Sequence, residues 1–129
     1  MLRRYLFLVA TLFAFAPALA LAGAPQPFDA KAFAAAQAEG KPILLHIEAS
    51  WCPTCAQQRP ILGALEKTPE FTNLVVFNVD FDNQKDVVRK LGVQMQSTLI
   101  VYHGKIEKGR STGETDPAKI KSLLEKAEA

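Results

Sequence analysis

The residues of this chain best suited to covalent chemistry stand together in Trp51-Cys52-Pro53-Thr54-Cys55, which holds both cysteines of the 129-residue sequence. A cysteine attacks as its thiolate, and a thiolate is stabilised at a helix N-terminus by unpaired backbone N–H groups and the helix dipole. Cys52 takes such a place, ahead of a helical stretch at residues 54–67. One helical turn brings Cys55 beside Cys52, within disulfide reach, so the second thiol can resolve a mixed disulfide formed by the first. With no third cysteine, a structural disulfide framework is excluded, and the pair is catalytic, metal-binding or a local clip. A clip across two intervening residues closes too small a loop to stabilise much.

The elements that must hold this pair are legible on either side of it. Residues 43–48 read as a buried strand running into the motif, and Pro53 suits a first helical turn, where its missing N–H is no loss. Pro60, inside the helical stretch, removes a backbone bond and bends the helix. Upstream, Asp29 caps a helix through Lys31, Phe33 and Ala36 to Glu39, closed by Gly40 and Pro42. Downstream come a strand at 74–80, a short helix at 84–91 and an antiparallel hairpin of 98–102 with 106–111, turning at Gly104-Lys105. Asp116 caps a last helix that starts at Pro117 and puts Ile120, Leu123 and Leu124 on one face. Phe28, Phe33, Phe71, Phe77 and Phe81 read as core, and His103 as solvated turn chemistry.

Trp51-Cys52-x-x-Cys55 with Pro60 five residues on, preceded by a buried strand, resembles the thioredoxin family from about Phe28 onward. The run Gly40-Lys41-Pro42-Ile43-Leu44-Leu45 leading to Ala49-Ser50-Trp51-Cys52 looks most like the shorter periplasmic members. The resemblance implies an α/β thioredoxin-like fold with a central four-stranded mixed sheet flanked by helices, lacking the usual extra first strand. It also implies a thiol–disulfide oxidoreductase in which Cys52 attacks and Cys55 resolves. No cofactor beyond the redox-active Cys52–Cys55 disulfide and no metal is implied. The expected partners are protein thiol or disulfide substrates and a membrane-bound electron donor, met by a monomer.

Three positions depart from the family pattern. Aligned on the cysteines, His46 stands where the family has a buried Asp beneath the resolving cysteine, and Asn78 roughly where a Lys accompanies that Asp. The two charges are missing together, as expected when burying one member of an ion pair without the other is costly. His46 could deprotonate Cys55 during resolution or be a buried packing residue. Glu48, two residues on and on the same strand face, could relay protons to the thiols, pair with His46 as imidazolium, or be an exposed strand-end acid. In Gly92-Val93-Gln94-Met95-Gln96-Ser97-Thr98, Ser97 replaces the family's cis-proline, and a cis bond before a non-proline costs about 2.5–4 kcal/mol, which favours trans. Substrate docking then falls to Gln96, Ser97 and Thr98 at a strand edge, with Trp51, Pro53 and Thr54 on the rim and Gly113 matching a glycine the family keeps there.

Residues 1–22 read as a secretory signal peptide: Arg3 and Arg4 precede an uncharged apolar run at 6–21 that ends in small residues at Ala18, Ala20 and Ala22. A thioredoxin-like domain at 23–129 would then work in the periplasm; an uncleaved membrane anchor is the alternative. Removing Arg3 and Arg4 takes the formal charge from +2 to zero, and nothing in that balance suggests nucleic acid. Strong periplasmic oxidants of the superfamily that the chain resembles carry a His between the cysteines and a helical insert; Pro53-Thr54 and the short chain supply neither, so the resemblance implies a reductant. The rival reading is a periplasmic copper or other metal chaperone holding its ion with Cys52, Cys55 and His46.

Overall fold

The computed structural model describes residues 24–129, so the expected signal peptide lies outside the described residues. In chain order the elements are β1 (Gln26–Pro27), α1 (Ala30–Ala38), β2 (Pro42–Glu48), α2 (Pro53–Glu66), a 3-10 turn (Pro69–Phe71), β3 (Val75–Asp80), α3 (Lys85–Lys90), β4 (Thr98–His103), β5 (Ile106–Thr112) and α4 (Pro117–Ala127). They form one sheet in the order β1-β3-β2-β4-β5, parallel from β1 through β3 to β2 and antiparallel from β2 through β4 to β5. Among the described residues, no helix is long and apolar enough to cross a membrane.

The sheet has five strands where four were expected. The added strand, β1, is two residues long and pairs Gln26 with Phe77 and Pro27 with Asn78. Pro27 cannot donate to a ladder, which suits an edge strand, and the Phe28 N–H continues the pairing to the Asn78 carbonyl at 2.8 Å. So short a segment has no periodicity of its own. Only β3 defines it.

β2 lies at the centre, with Pro42 to Ile47 all buried. Ile43, Leu45 and Ile47 pack with Phe77, Ala36 and Val88, in the layer of α1 and α3. Leu44 packs with Leu62, Phe71, Leu99, Ile120 and Leu124, in the layer of α2 and α4. Covering both faces removes the usual polar alternation, and each of these fully buried aliphatic side chains contributes about 1.5–3 kcal/mol. The two-residue period then puts His46 and Glu48 on the face of Leu44, against the cysteine helix.

The caps form as their residue types dictate. The Asp29 carboxylate accepts from the Ala32 N–H at 2.9 Å, and Asp116 accepts from Ala118 and Lys119. Pro60 sits within α2 without ending it. The hairpin turns at Gly104 (φ +57°), where a Cβ would come within 3.2 Å of the Gly40 Cα and 3.3 Å of the Gln37 carbonyl, so a side chain there would be crowded and strained. His103 is half-buried rather than solvated, because its Nδ1–H donates to the Ala127 carbonyl of α4 at 2.7 Å.

Candidate active site

Cys52 is the N-cap of α2, extended at φ −84° and ψ 111°, and its sulfur accepts the Cys55 backbone N–H at 3.1 Å. The two cysteines form a disulfide with Cα atoms 5.3 Å apart. Both are buried with Ala49, and half-buried Phe81 packs against them. The same N–H that meets the sulfur in the disulfide is placed to stabilise a Cys52 thiolate after reduction, aided by the positive end of the helix.

Trp51 stands out from the surface at 58% exposure, and its Nε1–H donates to Asp82 at 2.7 Å. Pro53 is exposed beside it and Thr54 is half-buried. The loop entering β4 is tied to α2 by the Gln58 amide, which donates to the Ser97 carbonyl at 3.1 Å. Ser97 there is buried at φ +61°, and the described residues contain no cis peptide bond. The Ser97 hydroxyl donates to the Gln96 carbonyl, so it is turned along the backbone rather than outward. The Thr98 hydroxyl reaches the Met95 carbonyl at 2.8 Å and the Thr112 hydroxyl at 3.0 Å, and the Gly113 N–H (φ +76°) donates to the Ser97 carbonyl at 3.0 Å. The loop therefore joins Gln96, Ser97, Thr98 and Gly113 in one bonded unit, with Met95 exposed beside it.

Beneath α2, His46 is buried, and Asn78 is its register partner on β3. His46 Nε2 lies 3.0 Å from Gln58 Oε1, and Nδ1 lies 3.5 Å from Glu48 Oε2. Among the described residues, no hydrogen bond joins His46 to either sulfur. Burial holds its pKa below the ordinary imidazole range, against the opposing pull of Glu48. Glu48 is only partly exposed and is not alone: Arg59 of α2 donates to it at 2.9 Å and to the Ala49 carbonyl at 3.2 Å. Glu48 and Arg59 thus form an ion pair at the edge of the buried His46.

Gln58, Arg59, Glu66 and Asp82 were not singled out from sequence. Gln58, Leu62 and Glu66 follow one another at four-residue intervals, and all three are buried. That phase is the one signal that could have drawn attention to them. Glu66 lines a cleft of about 190 Å³ together with His46, Glu48, Arg59 and Asn78, and burial raises its carboxyl to about 7. Both ring nitrogens of His46 already face partners, and among the described residues no group of three or more His, Cys, Asp or Glu is placed to hold a metal ion.

The thioredoxin family model matches residues 25–126. Thioredoxin Asp f 29 of Aspergillus fumigatus is 29% identical over 91 residues, covering 70% of this chain and 83% of that protein. Among solved structures, Trxlp from Edwardsiella tarda EIB202 is similar at a TM-score of 0.76 and 40% identity, covering 78% of this chain and 98% of that one. Thioredoxin O1 from Arabidopsis thaliana in its oxidized state is similar at a TM-score of 0.64 and 28% identity, covering 74% and 85% respectively.

Proposed function

The chain belongs to the thioredoxin family and is a thiol–disulfide oxidoreductase with a Cys52–Cys55 pair, and from that premise we propose that it is an exported, monomeric reductant of protein disulfides. The observation that carries the chemistry is Cys52 at the head of α2, its sulfur facing the Cys55 N–H. In the reduced protein the Cys52 thiolate attacks a substrate disulfide, forming a mixed disulfide and releasing one substrate thiolate. The Cys55 thiol then gives up its proton, with His46 as acceptor. Its thiolate attacks the Cys52 sulfur, and the second substrate thiolate leaves. The substrate has gained two electrons and the protein holds the Cys52–Cys55 disulfide, which a membrane-bound donor reduces again. Trp51, Pro53 and Thr54 with the loop Gln96–Thr98 and Gly113 form the docking surface.

Export is supported by the charged start and apolar run of residues 1–22, and the reducing direction by the absence of a His between the cysteines. An equilibrium redox titration of the mature domain followed by Trp51 fluorescence tests the direction, with Cys55→Ala as control. A two-electron transition near −270 mV is expected, and one near −120 mV would make the protein an oxidant. N-terminal sequencing of the full chain expressed in a bacterial host tests export. A start at or close to residue 23 in the periplasmic fraction is expected, and an intact Met1 in the cytoplasm overturns it.

A further inference from the structure

Gln58 is fully buried one turn beyond Cys55, and its amide makes three hydrogen bonds. Its NH2 group donates to two backbone carbonyls, Ser97 at 3.1 Å and Glu114 at 3.0 Å. Carbonyls only accept, so the amide cannot be flipped, and its oxygen must be the atom facing His46 Nε2. An amide oxygen also only accepts. The proton of a neutral His46 is therefore on Nε2, and its lone pair is on Nδ1.

We propose that Gln58 is a positioning residue that fixes His46 as the Nε2–H tautomer, so that the basic atom of this site is Nδ1, turned toward Glu48 and the cleft. The same amide binds that base to the docking loop at the Ser97 carbonyl and to the segment after β5 at the Glu114 carbonyl. Its catalytic consequence rests on the reading of His46 as the acceptor for Cys55. When the Cys55 thiol loses its proton, Nδ1 takes it, because Nε2 already carries one. The imidazolium so formed faces the Glu48 carboxylate, which stabilises it, while Gln58 accepts from Nε2–H in both states. The other groups facing the ring region are Arg59 and Glu66 from α2 and the neutral Asn78 from β3, so the proton leaves through a cleft lined by a cation and two acids. A substrate that shifts the backbone at Ser97 would loosen the amide and with it the hold on the tautomer.

The test is an NMR measurement on the oxidised 15N-labelled mature domain with a kinetic companion. Above the His46 titration, a protonated Nε2 and an unprotonated Nδ1 are expected in the long-range correlation spectrum. The two histidines, His46 and His103, are told apart with His103→Gln. In Gln58→Met the tautomers should redistribute, the pH profile of mixed-disulfide resolution should move, and the resolution rate should fall by about tenfold. A wild-type His46 protonated on Nδ1, or a Gln58→Met protein with unchanged tautomer and pH profile, overturns the proposal. If Gln58→Met does not fold, the wild-type tautomer decides. A wild-type protein without disulfide exchange would instead strike the thiol–disulfide mechanism, and the spectrum would still decide the role of Gln58.

Discussion

Gln58 and Ser97 are 39 residues apart in the chain and joined by one buried hydrogen bond of 3.1 Å, from the Gln58 amide to the Ser97 carbonyl. That carbonyl also accepts the Gly113 N–H, so the loop entering β4 is tied to the cysteine helix and to the end of β5 at the same atom. These ties keep Ser97 in a left-handed conformation (φ +61°) that a residue with a Cβ adopts at a cost of about 1–2 kcal/mol.

The strain at Ser97 inverts an ordinary ranking. Ser97→Gly should be more stable than Ser97→Ala by about 1 kcal/mol, because glycine is at ease at positive φ and alanine is not. Urea unfolding of the two oxidised proteins makes the comparison. Equal midpoints, or a more stable alanine variant, would show that the loop relaxes to negative φ without loss.

Glu66 supplies a pH-dependent stability of definite sign. Its carboxyl is raised to about 7 in the folded protein, while in the unfolded chain it ionises in the ordinary carboxylate range. Between those limits the folded state holds a proton that the unfolded state has released, so this group makes stability fall as pH rises. Glu66→Gln should match the wild type near pH 4 and exceed it by about 1–3 kcal/mol near pH 8. A difference that stays constant across that window in urea unfolding would mean that Glu66 ionises alike in both states.

Charges of opposite sign compete over His46. Burial is the main cause of its lowered pKa, Glu48 pulls it upward and Arg59 pushes it down. Glu48→Gln should therefore move the His46 titration to lower pH and Arg59→Gln to higher pH, as followed by the ring signals. The stability sign is the reverse of that at Glu66. A base held neutral by the fold costs stability as pH falls through the ordinary imidazole range, and Glu48→Gln widens the loss on the acid side. Shifts in the same direction for both variants would mean that the Glu48–Arg59 pair acts on His46 only as a unit.

Most of this architecture can be read before any coordinates, because its signals are local. Asp29 and Asp116 are capping residues in capping places, and the short, β-branched apolar run Ile43 to Ile47 before the cysteine motif suits a strand covered on both sides. β1 escapes such a reading, since two residues beside prolines become a strand only when β3 is present to pair with them. The cysteine pair announces itself, and the strand period places Glu48 beside His46. Gln58 and Glu66 do not announce themselves. In Ala56-Gln57-Gln58-Arg59 the exposed and the buried glutamine are chemically identical, and only the helical phase from Cys55 through Leu62 separates them. His103 illustrates the same limit, because the carbonyl that holds it comes from the far end of the chain.

The sheet ends differently at its two sides, yet with the same physical result. One border is β1, two residues with a proline that has no N–H to offer. The other is β5, mostly solvent-facing and carrying Lys108 and the Arg110–Glu107 ion pair. A neighbouring molecule seeking to add a strand meets too little backbone at one border and a desolvation cost at the other. The protein can thus leave Trp51 and Met95 uncovered without its borders seeding aggregates.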